Sequence, residues 1–89
     1  MGDDPAAADL VIRARGGDQQ AWTALVERYA PLVWSICRRH RLGCAGAEDV
    51  SESVWLQLVE QIGALHDPAA VDSWLATTTQ RECARRRGT

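Results

Sequence analysis

The stretch DQQAWTALVERYAPLVWSICRRH, residues 18–40, decides the fold. Its apolar positions, Trp22, Leu25, Val26, Tyr29, Leu32, Val33, Ile36 and Cys37, recur at steps of three and four, the period of an α-helix with one face toward a core. Asp18 stands at the N-cap position, where a carboxylate accepts the first unpaired amide protons of the helix. Pro31 lies inside the run and has no amide proton for the carbonyl of Glu27. The spacing therefore predicts a helix that kinks at Pro31 or splits into two coaxial pieces near Ala30, with Gly43 as its stop.

Upstream, Asp4 and Pro5 read as N-cap and first helical residue, and Ala7, Leu10, Val11 and Ala14 share one side before Gly16 and Gly17 end the element. Downstream, residues 43–46 read as a connection into a third helix from about Ala47 to Gly63, with Val50, Val54, Leu58 and Ile62 as its inner stripe. Asp67 and Pro68 repeat the start signal, and a fourth helix turns Val71, Trp74, Leu75 and Thr78 inward on its way to about Arg87. Past Thr78 the positions that continue the stripe are Glu82, Arg85 and Arg86, so the last two turns are expected to project beyond the core. The expectation is one all-α domain, a bundle of about four helices with no strand, in which Trp22, Val54 and Trp74 are packing residues.

At 89 residues the chain makes one small domain, burying roughly 60% of its unfolded surface. The formal charge of −2 hides an uneven distribution: Arg81, Arg85, Arg86 and Arg87 crowd one end, and Asp3, Asp4 and Asp9 the other. The opening residues carry no basic leader or apolar segment, and no apolar run approaches the ~18 residues of a membrane span, so the protein is expected in the cytoplasm. Cys37, Cys44 and Cys83 make no disulfide framework and read as buried small hydrophobes. Cys37, His40 and Cys44 lack the second closely spaced pair that a metal site needs, so no metal or cofactor is expected. No phosphate loop, nucleophile elbow or paired-His motif occurs, which argues against an enzyme and leaves no catalytic residue to name.

Two surfaces remain. Opposite the inner stripe of the third helix lie Glu52, Leu56 and Val59, with Asp49 at the edge and Trp55 on the flank. Apolar residues beside two carboxylates suit a docking surface for another protein, unless the first helix covers them. On the fourth helix, Thr77, Thr78, Thr79, Gln80 and Arg81 followed by the Arg triplet offer donors and cations that suit single-stranded nucleic acid. The alternative there is a solvated tail whose cations complement the helix macrodipole.

The string AEDVSESVWL, residues 47–56, resembles the AEDVVQEVFL signature of extracytoplasmic-function sigma factors, departing at Ser51, Glu52, Ser53 and Trp55. Asp9-Leu10-Val11 through Gly17-Asp18, then Ala21-Trp22 and Tyr29-Ala30-Pro31, resemble the start of the same group, and Ser73-Trp74-Leu75 through Cys83 resembles its promoter-reading helix. The resemblance implies that the third helix docks on the clamp coiled coil of the largest subunit of core RNA polymerase through Asp49, Glu52, Trp55, Leu56 and Val59. It implies that the fourth helix and the loop from about Ala64 to Asp72 capture the non-template strand of the promoter minus-ten element. A turned-out base would sit near His66 and Asp67, with Thr77, Gln80, Arg81, Arg85 and Arg86 toward bases or phosphates. Such factors often have an anti-sigma partner. They also carry a linker and a helix-turn-helix domain for the minus-thirty-five element, so the resemblance reads the chain as a fragment. The competing reading is a helical protein-interaction module with no DNA role.

Overall fold

Turns in this chain are set by who can accept or supply a backbone hydrogen bond, and the first corner shows it. α1 (Pro5–Arg15) ends with the Gly17 amide on the Ala14 carbonyl and the Asp18 amide on the Arg13 carbonyl, both at 3.0 Å, while Gly17 takes the left-handed φ of 100° that this ending requires. Asp18 then opens α2 (Gln19–Arg39), its Oδ1 accepting from the amides of Gln20 and Ala21 at 3.0 and 3.2 Å. The Oδ2 of the same carboxylate accepts from Arg13 Nη2 at 3.0 Å, bracing the corner from α1. The Ala21 amide, and after it the Arg13 guanidinium, hold the Asp18 carboxyl below the usual carboxylate range.

The computed structural model describes residues 5–88, with side chains from 6 to 87. Among these are four α-helices, two short 3-10 turns and no strand. Asp4, expected as the cap of α1, lies outside the described residues; α1 is helical from Pro5 and buries Ala7 and Val11.

α2 is the central helix, packed against α1, α3 and α4. It runs through Pro31 without interruption, so the expected split does not occur. Both Pro31 and Glu27 are exposed, so the missing bond falls where water reaches the carbonyl, while Leu25, Tyr29, Val33 and Ile36 hold both halves to the core. The helix also ends earlier than Gly43. The Arg41 amide meets the Arg38 carbonyl at 3.0 Å and the Leu42 amide the Cys37 carbonyl at 3.3 Å, which places Arg41 at φ 61°. Gly43 instead precedes α3 (Cys44–Gln61), its carbonyl accepting from Ala47 at 2.8 Å, so residues 44–46 are the first turn of α3 rather than a connection.

α3 buries Ala47, Val50, Val54 and Leu58, then tightens into the Ile62–Ala64 turn. A second turn, Pro68–Ala70, is capped by Asp67, whose Oδ1 accepts from the Ala69 amide at 3.1 Å, and leads directly into α4 (Val71–Gly88). α4 corrects the expectation of a projecting end. Beyond Thr78 the helix stays in the core for another turn, with Thr79 and Cys83 fully buried, so only the last turn stands clear. Thr79 is buried because its Oγ1 donates to the Leu75 carbonyl at 2.6 Å, and Cys83 because its Sγ meets Cys37 Sγ at 3.8 Å. Burial, and next the Cys83 thiol beside it, push the Cys37 thiol pKa up to about 12. Cys44, expected among buried residues, is exposed in the first turn of α3. Trp22 and Trp74, expected as packing residues, are only half-buried and lie against the core from outside, whereas Val54 is fully enclosed.

Candidate functional site

The outer face of α3 is uncovered. α1 packs on α2, α4 and the two short turns, leaving Leu56 at 61% and Val59 at 56% exposure. Glu52, Trp55, Leu56 and Val59 line an open groove whose other wall is Trp22 and Trp34 of α2. The Trp22 and Trp55 rings meet edge to face, with centroids 6.2 Å apart and planes at 81°, which fixes the floor of the groove. Trp34 was missed in the sequence; its signal was an aromatic residue beside the inner stripe of α2 rather than on it. Asp49 stands apart from this group, on the flank toward α4, where its Oδ2 lies 3.2 Å from Arg86 Nη2.

That flank is a polar seam between α3 and α4. Glu82, with its side chain 12% exposed, accepts from Ser53 Oγ at 3.3 Å, Gln57 Nε2 at 3.0 Å and Arg85 Nη1 at 2.9 Å. Arg85 and Arg86 therefore lean on carboxylates at the seam, and the nucleic-acid residues expected from the sequence fall into separate groups. His66, Asp67, Thr77 and Arg81 come together with Leu65, Ser73 and Trp74 around a second hollow, beside the loop that enters α4. Trp74 supplies that hollow with an aromatic face, and Thr77 and Arg81 supply a hydroxyl and a guanidinium at its rim, the combination that stacks and holds an unpaired base. Gln80 is exposed but does not line the hollow. Asp67 is also engaged in capping the Pro68–Ala70 turn, so its Oδ1 is a structural acceptor as well as a rim group.

Arg15 was not foreseen. From the last turn of α1 its Nε donates to the Ile62 carbonyl at 3.1 Å and its Nη2 to the Leu65 carbonyl at 2.9 Å. α3 and the Ile62–Ala64 turn carry no basic residue at their ends, so this guanidinium supplies the cation that their carbonyl ends favour and fixes where the loop departs. No local pattern reveals such a contact, because its partners lie far along the chain.

No described helix is long and apolar enough to cross a membrane. Among the described residues no group of three or more His, Cys, Asp and Glu is placed to hold a metal ion. The geometry is thus that of two surfaces on adjacent helices, an apolar groove with acids and a hollow built on Trp74 with hydroxyls, Asp67 and the Arg81 guanidinium around it. Residues 25–88 match the family model for sigma-70 region 2. No curated protein and no solved structure matches the chain.

Proposed function

We propose that this chain, which belongs to the sigma-70 region 2 family, joins core RNA polymerase to promoter DNA in the manner of an extracytoplasmic-function sigma factor. Sigma region 2 domains bind polymerase and recognise the minus-ten element. The observation that carries the reading to particular residues is the uncovered face of α3: a small domain that leaves Leu56 and Val59 in water beside Glu52 has a surface made for a partner. In this reading the clamp coiled coil of the largest polymerase subunit lies in the groove. Trp55, Leu56 and Val59 supply most of the buried apolar area, and Glu52 steers basic side chains of the partner. Asp49 contributes at the edge and ties the docking helix to α4 through Arg86.

The hollow around Trp74 takes the melted non-template strand. A base turned out of its stack lies on the indole, Thr77 and Arg81 hold its edge or the adjacent phosphate, and His66 and Asp67 shape the rim. Gln80, exposed on α4 outside the hollow, is assigned in this reading to a neighbouring nucleotide. The chemistry is binding alone: no bond is made or broken by the domain, which lowers the cost of melting by stabilising the open strand. An anti-sigma protein, where one exists, would compete for the α3 groove.

Capture of core polymerase, or of its isolated clamp coiled coil, by the chain and by its Leu56→Asp variant tests the docking assignment. Leu56 is chosen over Asp49 because a change at Asp49 also removes the Arg86 pair. The wild-type chain is expected to capture the coiled coil and the variant to lose at least tenfold in affinity with its helical content unchanged. Equal capture by both defeats the assignment. Arg81→Ala is expected to reduce promoter opening while leaving polymerase capture unchanged, and a parallel loss of both removes Arg81 from the strand site.

A further inference from the structure

The bonds that close α2 force residue 41 into the left-handed region. Glycine sits there without strain, and Gly17 does so at the matching position of α1. At the end of α2 the position holds Arg41, the one non-glycine residue with positive φ among the described residues. A side chain retained where the backbone disfavours it calls for a use of that side chain. Arg38, Arg39 and Arg41 are all exposed, and among the described residues none of them pairs with a carboxylate.

The end of α2 lies beside the end of α4. Cys37 Sγ and Cys83 Sγ are 3.8 Å apart, and Arg86 Nε comes within 3.7 Å of the point where a Cβ on Gly46 would stand. Arg38, Arg39 and Arg41 therefore share one end of the molecule with Arg85, Arg86 and Arg87, from the opposite half of the sequence. Arg85 and Arg86 already have Glu82 and Asp49 opposite them, so the uncompensated charge here comes chiefly from the end of α2.

We infer that this end grips the phosphate backbone of duplex DNA next to the strand held in the Trp74 hollow; the inference rests on the promoter-binding reading above. Residues 38–46 and 82–87 contain no Trp, Tyr or Phe, and the one ring there, the imidazole of His40, is partly buried, so the patch offers chiefly guanidinium groups rather than faces on which unpaired bases stack. Charge without stacking suits paired DNA, whose bases are already stacked and whose phosphates are outermost. From Arg81 to Arg87 the α-helix advances about 9 Å, so the patch begins within roughly three nucleotide steps of the hollow.

The test is the affinity of the whole chain for a fluorescein-labelled duplex of mixed sequence, read by anisotropy across a salt series. The wild-type chain binds with log affinity falling against log salt, and the Arg38→Ala, Arg39→Ala, Arg41→Ala triple variant lowers that slope by about two to three. Arg41→Gly moves two readouts in opposite senses: the thermal midpoint rises by a few degrees as the strain is relieved, and the salt slope falls by about one. An unchanged slope in either variant, or no salt-dependent duplex binding by the wild-type chain, overturns the inference. So does an Arg41→Gly variant that melts below wild type at unchanged slope, the result if these cations merely complement the end of the helix. Coiled-coil capture and strand selection are measured alongside. Failure of both in the wild-type chain defeats the promoter reading itself, whereas success in both with an unaltered duplex slope in the triple variant defeats this inference alone.

Discussion

α3 and α4 are both 18 residues long and pack on each other, yet they are built on opposite plans. α3 is apolar on two sides: Val50, Val54 and Leu58 face inward and Leu56 and Val59 face water. α4 carries polar groups on both sides: Thr78 and Thr79 are buried among Val71, Leu75 and Cys83, and Thr77, Gln80 and Arg81 are exposed. A helix with two apolar faces is anchored by one and has the other to offer, and what it offers is area. α4 is held along its flank by Glu82, which accepts from Ser53 and Gln57 of α3, so its rotation is fixed by particular hydrogen bonds as well as by burial. In the proposed reading that suits a surface whose donors must point at one strand, just as spare area suits a partner that is itself a pair of helices.

The sharpest way to break the contrast lies within α3, where Leu56 and Leu58 are two residues apart and 61% and 0% exposed. Leu58→Ala is expected to cost about 2–5 kcal/mol in urea unfolding, through lost transfer energy and the cavity left behind. Leu56→Ala is expected to stay within about 0.5 kcal/mol, because no protein atoms close over it. Similar losses at the two positions would mean that the outer face is buried in solution and is no docking surface.

The seam between the helices comes next in size. Glu82→Ala strips the acceptor from Ser53, Gln57 and Arg85 at once, and is expected to cost about 1–3 kcal/mol in the same measurement. Glu82→Gln keeps the shape and one acceptor oxygen, and should recover part of the loss. Stability unaffected by the alanine change would show that burial alone fixes α4, and the contrast with α3 would lose its basis.

The thiol pair between α2 and α4 gives a pH signature. A thiol whose folded pKa stands above its unfolded value holds more protons when folded. Its contribution is whole below the unfolded value near 9 and is lost as pH rises toward about 12. Within that window the wild-type unfolding free energy should fall with pH by up to about 1.4 kcal/mol per unit more steeply than that of Cys37→Ser, and below it the two should run parallel. A parallel course throughout would mean that Cys37 is hydrated in solution.

The same contrast governs how much could be read before the fold was known. The stripe of α2 and both faces of α3 obey a 3.6-residue period, so the helices followed from spacing, whereas whether α1 covers the outer face of α3 was decided only by where α1 packs. α4 beyond Thr78 did not, because Thr79 and Cys83 count as interior only once the Leu75 carbonyl and Cys37 are in place to meet them. The end of α2 was placed at Gly43 because glycine is the usual signal, while the hydrogen bonds put the left-handed residue at Arg41. The hollow was legible in part: the loop and Arg81 were named, but Trp74 was assigned to the interior, and Arg15, which fixes the start of the loop, bonds to carbonyls 47 and 50 residues away.

Thr79→Val has the smallest expected effect and bears most directly on what holds α4. Its Oγ1 lies 2.6 Å from the Leu75 carbonyl, fully enclosed, so the hydroxyl is satisfied within its own helix and ties α4 to nothing else. Valine has nearly the same shape, removes the donor without stranding an acceptor that also takes a backbone amide, and adds a methyl group to an apolar surrounding. A change within about 0.5–1 kcal/mol of zero in urea unfolding, of either sign, is expected. A loss as large as that of Glu82→Ala would mean that the Thr79 hydroxyl also positions the helix. The polar side of α4 would then be fixed from within the core as well as along the seam, and the rotation of Thr77 and Arg81 toward the hollow would depend on both.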